Sequence, residues 1–410
     1  MSVGIRHDDV RRRNRAMVLG AIRRSGSPSR TEIAAVTALS HSTISAISAD
    51  LIAEGILREA ANAEPAHLKR GRPQVGLEAN PGAGAIAVVI LSLNSLAAAL
   101  VDYSGQVMAH EQRRIATRTL PASELVGETV AMLRRVIATQ TGTAAVLRVA
   151  MAVQGVTDKD GRALLWSPIT PHTDIPFAEI LEEACGVPTA VENDCGMMAE
   201  ALGWRDPGLY RDNFMAVLLS HGIGMGLVLK GEMFTGTQSS GGEFGHMIHR
   251  PEGALCRCGR RGCVEAYAGN YAIWRFACGL PDDAPPADDV PDEAIIDLAH
   301  AARRGEPLPL EAFRRAGEAL GYGLGSLFAL IDPAPACFVG VGATAYDLME
   351  PTLRAALART AGGHHAEAIA FAAEPSEMPL ILEGCTMRAL TFIDEMVFAP
   401  GTPAAGRDVA

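Results

Sequence analysis

Residues 56–84, ILREAANAEPAHLKRGRPQVGLEANPGAG, are dense in glycine, proline and other breakers, and the hydrophobic period changes across them. Before this segment apolar residues recur at helical spacing, and after it come compact apolar runs with strand character. A chain whose period switches at such a segment has to build at least two packed units, and 410 residues exceed what one ordinary core takes up. Charge divides at the same place. Residues 1–76 hold 12 Lys plus Arg against 7 Asp plus Glu, a balance of +5, which leaves −16 of the overall −11 to the rest. Only the first part suits a polyanion.

In that first part, NRAMVLGAIRR (14–24) sets Met17, Val18, Ala21 and Ile22 on one helical face. After the break SGSPS, RTEIAAVT makes a short helix. ALSHSTISAISADLIAEG then gives a turn and a third helix, with Ile44, Ile47 and Leu51 inward and Gly55 as its stop. The apolar pairs Ile56-Leu57 and Val75-Gly76-Leu77 suit a two-stranded wing. Three helices and a wing predict a DNA-binding unit, with linker, over 1–76, its third helix entering a major groove of double-stranded operator DNA. His41, Ser42, Thr43, Ser45 and Ser48 are the side chains expected near bases and phosphates; a merely solvated helix face is the alternative. Within KRGRP (69–73), Arg70 and Arg72 are thin and basic enough for a narrow minor groove, or form a stiff cationic linker.

From Ala85 onward, strands such as AIAVVILSL, LAAALVDYSG, VLRVAMAVQG and FMAVLLSHGIGMGLVLKGEMF alternate with helical stretches near 122–140, 177–185 and 195–204. Helices near 293–304, 311–331 and 347–360 frame a further strand, ACFVGVGA. The pattern is that of an α/β body. PDDAPPADDVPD (281–292) is expected to be an exposed acidic loop, and residues 398–410 a disordered tail. No apolar run is long enough to span a bilayer and the start lacks a signal peptide's apolar centre, so a cytoplasmic location without membrane contact is expected.

Three of the eight cysteines fall between Cys256 and Cys263, unlike a disulfide framework. With His246 they form H-x9-C-x-C-x4-C. One imidazole and three thiolates at His246, Cys256, Cys258 and Cys263 close a tetrahedral zinc site with no open position, so the zinc is expected to be structural. His249 is a competing ligand, and unliganded thiols are the alternative.

The run GGEFGHM followed by CRCGRRGCVEA resembles the ROK family of repressors, open reading frames and sugar kinases, as do ENDCGMMAEALGW (192–204) and GIGMGLVLKGEMFTG (222–236). The winged helix with its GRP resembles the repressor branch. The resemblance implies a two-lobed actin- and hexokinase-like, ribonuclease H-like body with sugar in the cleft, first lobe 77–199, second lobe 200–397, and a last helix returning to the first. It further implies that Asn193, Asp194, Glu243, His246 and Glu265 bind sugar hydroxyls, His246 also holding zinc through its other nitrogen. The chemistry agrees, since carboxylates accept charge-assisted hydrogen bonds from hydroxyls and a metal-fixed imidazole is pre-oriented. Surface carboxylates at Glu243 and Glu265, and a helix cap at Asn193-Asp194, are the plainer readings.

Departures from the family's kinases decide the expected activity. Where they carry an Asp-x-Gly-Gly-Thr phosphate loop, this chain reads ILSLNSL (90–96), with Ile90 for the aspartate and Ser92-Leu93 for the glycines. Gln154-Gly155 stands for a Pro-Gly pair, Ile169 or Thr170 for an asparagine, and Ser220-His221 for Gly-Thr. Asp194, placed where the kinases have their base, lacks the phosphate cradle that phosphoryl transfer depends on. The expectation is therefore no enzyme but a sugar-responsive repressor of carbohydrate genes, working as a dimer or tetramer, with a small sugar or sugar derivative as effector. A sugar kinase with a DNA-binding unit, and a constitutive DNA-binding protein with a vestigial site, are the rivals.

Overall fold

The computed structural model describes residues 7–60, 75–140, 144–237, 239, 241–363 and 366–398. Arg70, Arg72 and the whole of KRGRP lie outside the described residues, as does the tail from 399.

The first unit is α1 (His7–Ser25), α2 (Arg30–Thr37) and α3 (His41–Ala53), followed by β1 (Leu57–Glu59) and β2 (Leu77–Ala79). Ser29 caps α2 in a reciprocal box with Glu32, and Ser40 caps α3 by accepting from the Thr43 N–H at 3.1 Å. β1 and β2 pair antiparallel, Leu57 opposite Ala79 and Glu59 opposite Leu77, which gives the wing its two strands. The core is Val18, Leu19, Ile22, Ile33, Ile44 and Leu51. Two side chains face other ways than expected. Met17 is 38% exposed and Leu19 takes its place inside. Ser48, expected on the groove-facing side, is fully buried, because four residues after Ile44 and three before Leu51 it shares their inward stripe. His41, Ser42 and Ser45 are exposed and Thr43 is half-buried.

The body opens with β3 (Ala85–Ser92), β4 (Ser95–Asp102), β5 (Val107–Arg114), α4 (Ala122–Ala138), β6 (Val146–Val153), β7 (Val156–Thr157), β8 (Leu164–Trp166), α5 (Phe177–Cys185) and β9 (Thr189–Asn193). It continues through α6 (Asp194–Arg205), β10 (Phe214–Leu219), β11 (Ile223–Leu229), β12 (Glu232–Met233), α7 (Glu265–Ala268), α8 (Asn270–Ala277) and α9 (Asp292–Arg303). α10 (Pro307–Ile331), β13 (Ala336–Val339), α11 (Tyr346–Leu357), β14 (Phe371–Glu374) and α12 (Glu377–Phe392) complete it. The sheets have the orders β5-β4-β3-β6-β9 and β12-β11-β10-β13-β14. In each, three antiparallel strands in a meander are followed by two parallel ones. One ribonuclease H-like topology is thus used twice, as in actin-like folds, so ligand chemistry belongs at the carboxyl ends of the parallel strands.

α6 and α12 lie side by side, and α12 also packs on β3 and β6. The α6 backbone presses on β11 so closely that a Cβ on Gly224 would come within 2.5 Å of the Cys195 sulfur, and one on Gly226 would meet the Cys195 carbonyl. These glycines are used for helix–strand approach. The acidic segment 281–292 does more than expected of an exposed loop. Asp288 pairs with Arg118 at 2.7 Å, and Asp289 meets Arg114, the Asn94 amide at 3.1 Å and the His221 ring at 3.0 Å, so it straps one lobe to the other. The amino-terminal unit is fastened too. The chain turns through a π-helical Ile393–Val397, and Asp394 there receives the Arg23 guanidinium of α1 and the Tyr103 hydroxyl at 2.5 Å. Among the described residues no helix is long and apolar enough to cross a membrane.

Candidate functional site

Where β9 ends and α6 begins, the chain turns at Asn193-Asp194. Asn193 is the cap of α6, accepting from the Gly196 N–H at 3.0 Å and donating to the Gly155 carbonyl at 2.8 Å. The helix-cap reading of this pair and a place at the cavity wall therefore hold together. Asp194 is buried, accepts from the Cys195 N–H at 2.8 Å, and has its carboxyl pushed up to about 6 by desolvation. Asn193, Asp194, Glu243, His246 and Glu265 all line one cavity of about 300 Å³. The structure brings together all five residues singled out for sugar.

Glu265, at the first turn of α7, is buried and already well bonded. It accepts from the Ile223 N–H at 3.1 Å and the Tyr271 hydroxyl at 3.2 Å. Gly222 makes room for it, since a Cβ there would stand 2.9 Å from a Glu265 oxygen. Glu243 is more open; partial burial raises its carboxyl, against the pull of His246. The His246 ring faces two ways, with Nε2 3.8 Å from Glu243 and Nδ1 3.8 Å from the Cys256 sulfur.

Behind that ring, the ligand atoms of His246, Cys256, Cys258 and Cys263 all lie within 4.8 Å of one another. Cys258 and Cys263 have their sulfurs 3.8 Å apart. A tetrahedron with Zn–S bonds of about 2.3 Å has edges of about 3.8 Å, so the spacing fits one ion. Burial and the nearby Glu265 push the Cys256 thiol up, a cost a bound cation would offset. The cluster could hold a metal. His249 takes no part, its ring lying against Tyr267 and Tyr322.

Sequence reasoning missed Trp166, Arg118 and Arg257, which line the same cavity. Trp166 is 44% exposed at its wall. Arg257 donates to the carbonyls of His221 and Ala287 at 2.9 Å and lies over Tyr271. Trp166 directly precedes the Ser-Pro pair, and Arg257 stands between two ligand cysteines, so adjacency to motifs was the available signal.

At the hairpin that follows Ile90, β3 and β4 close through Leu93-Asn94 alone, with Ser92 opposite Ser95 and Asn94 at φ 53°. Ile90 and Leu93 are buried. The Leu93 N–H donates to the Gln154 side chain at 3.2 Å, so it is spent within the protein.

The sequence profile of the ROK family matches residues 92–377. This chain belongs to the ROK family. The xylose repressor of Bacillus subtilis is 26% identical over 327 residues, 79% of this chain and 81% of that protein. The glucokinase of Streptomyces coelicolor is 29% identical over 262 residues, 60% of this chain and 78% of its own. Among solved structures, a ROK family transcriptional regulator homologous to the Escherichia coli MLC protein superposes with a TM-score of 0.75 at 21% identity, over 95% of this chain and 98% of that one. The regulator thus shares the fold nearly end to end, helix-turn-helix unit included, whereas the glucokinase leaves two fifths of this ROK chain unmatched.

Proposed function

We propose that this ROK protein is a transcriptional repressor of carbohydrate genes whose grip on operator DNA is set by a sugar in the cavity at Asn193, Asp194, Glu243, His246 and Glu265. The observation that carries it is the mechanical link between cavity and DNA-binding helices: α6 starts at Asn193-Asp194 and packs on α12, and Asp394, just beyond α12, holds Arg23 of α1. A sugar that fits one lobe arrangement better than another moves that link, and the sign of the response follows the preferred arrangement. The xylose repressor relative supports a sugar effector. The buried Leu93 and Ile90 support the absence of phosphoryl transfer. The thiolate cluster suits Zn2+, which would supply no reaction step and would hold His246 in place. A homodimer presenting two third helices fits a pseudo-palindromic operator.

The deciding experiment is fluorescence anisotropy on the upstream DNA of the protein's own gene at fixed salt, titrated with sugars headed by xylose and glucose, without ATP. Release or tightening by one sugar is expected. Steady ADP formation with sugar and ATP would instead restore the kinase reading, which the glucokinase relative keeps in view.

The DNA face predicts a contrast within one helix. Ser45→Glu, on the exposed side of α3, places a carboxylate among phosphates and should weaken DNA binding at least about tenfold with the melting curve unchanged. Ser48→Glu should unfold the unit, because it buries an unpaired charge. Equal DNA affinity for Ser45→Glu and the unaltered protein would remove α3 from the groove.

Asp194 sets a pH dependence. Its folded carboxyl titrates near 6 against about 3.9 in an unfolded chain, so the folded state holds a proton that the unfolded chain releases between those values. Its contribution to stability therefore falls as pH rises from about 4 to about 6 and is constant above. Ionisation makes it the better acceptor, so sugar affinity should rise as pH is raised through about 6. Calorimetry on Asp194→Asn should show that rise flattened; an unaltered profile would assign it to other groups.

A further inference from the structure

The sugar cavity has a neighbour. A second cavity, of about 560 Å³, lies on the other side of Leu93, Gln154, Asp194 and Leu218, which line both. Its walls include Ser92 and Ser95 from the β3–β4 hairpin, Ser220 and His221, and the carboxylates of Asp292 and Glu377. It lies against the β3–β4 hairpin, the stretch that stands where the family's kinases carry their phosphate loop. Here Asp292 and Glu293 add their charge to the wall, and polyphosphate would be repelled. Arg113 and Arg114 also reach it, but they are paired with Glu128 and Asp289.

We propose that this second cavity is a saccharide subsite, so that the effector is a neutral disaccharide or longer sugar with one ring in each cavity. The proposal rests on the sugar-sensor reading given above. Hydroxyl groups of a second ring need acceptors and donors at close quarters, and hydroxyls and carboxyls predominate among the polar groups here. Glu377 accepts from the Ser220 hydroxyl at 3.2 Å, and burial raises its carboxyl to about 7, so it can donate or accept near neutral pH. Asp289 is already paired with Arg114 and bonded to His221, which favours a neutral polyol over a cation. Between the two cavities stands the Leu93 side chain, on a two-residue hairpin tip, and swinging it aside joins them.

Calorimetry on the full chain tests this, with xylose and xylobiose, and glucose with cellobiose and maltose, as probes. At least one disaccharide should bind about tenfold or more tightly than its monosaccharide, the worth of one or two added hydrogen bonds. Ser95→Trp, which fills the second cavity, should erase that advantage and leave monosaccharide affinity within about twofold. Gln112→Trp, on the exposed side of β5, repeats the block if the first variant fails to fold. Leu93→Gly should preserve or raise disaccharide affinity. A monosaccharide that binds as tightly as every disaccharide overturns the subsite and leaves the sensor standing. Loss of the advantage in Trp166→Ala but not in the blocked variants also overturns it, by placing the second ring at Trp166. No binding of any of the five overturns both readings.

Discussion

Asp394→Ala should cost the DNA-binding unit about 3–5 kcal/mol of stability and disconnect it from the sugar cavity. The side chains of Arg23 and Asp394 are each only 4% exposed, although 371 positions separate them. Burial works against the charge on Arg23, and Asp394 with Tyr103 more than restores it, so the guanidinium stays charged with no water to solvate it. Removing its carboxylate partner leaves that charge uncompensated, which is the expensive way to break a buried pair. Arg23→Met with Asp394→Leu removes both charges and should cost far less than the sum of the single changes. Trp204 supplies the readout, because the Arg24 guanidinium lies 4.6 Å over its ring at the same junction. In Asp394→Ala, Trp204 fluorescence should change at a lower urea concentration than the body unfolds. The variant should still bind DNA at low temperature but no longer answer to sugar. A single unshifted transition with an intact sugar response would show that the signal does not pass through Asp394.

How far the sequence reached depended on the range of the interaction. The wing, the third helix and the long helices 122–138, 292–303 and 307–331 follow from local periodicity and breakers, and the structure has them within a few residues of expectation. The cysteine cluster was readable because its ligands fall within 18 consecutive positions. What was not readable needed distant partners. VMAHEQRR forms the edge strand β5, whose faces alternate between exposed and half-buried, so no apolar pattern announces it. The strap at 281–292 looked like solvent loop until Arg114 and Arg118 of the other lobe were placed against it. Asp394 carried no mark of its role, because its partner Arg23 stands 371 positions away. Ser48 misled in the opposite direction, since a hydroxyl on an inward stripe carries no mark in the sequence that its partners will be apolar.

The duplication of one sheet topology explains why the residues proposed to bind sugar come from separate motifs. Asn193-Asp194 closes the first copy, at the end of its last parallel strand, while Glu243, His246 and Glu265 lie in an insertion between β12 and α8 of the second. Neither copy holds the cavity alone. Glu243 and His246 belong to a turn with only three residues of 3-10 helix, Phe244–His246, so something other than secondary structure has to fix them. The metal cluster is placed to do that.

Cys258→Ser should therefore lower bound zinc from about one ion per chain to well below it, and with the ion the ordering of the cavity wall. Cys258 is the apt position because it is half-buried, whereas Cys256 and Cys263 are buried and would also lose core packing when changed. His246 and Cys258 are shared by cluster and cavity, and losing the ion frees the His246 ring from the Cys256 side and turns a fixed donor or acceptor into a mobile one. Among the described residues, no hydrogen bond or ion pair joins the amino-terminal helices to this cluster. Sugar-free DNA affinity should then survive in Cys258→Ser while the sugar response falls, and a chelator should reproduce both effects in the unaltered protein, reversibly on adding zinc. Metal analysis paired with anisotropy separates the outcomes. Full occupancy in the variant would remove Cys258 from the ligand set, and a lost ion with an undiminished sugar response would show that the turn holds His246 without it.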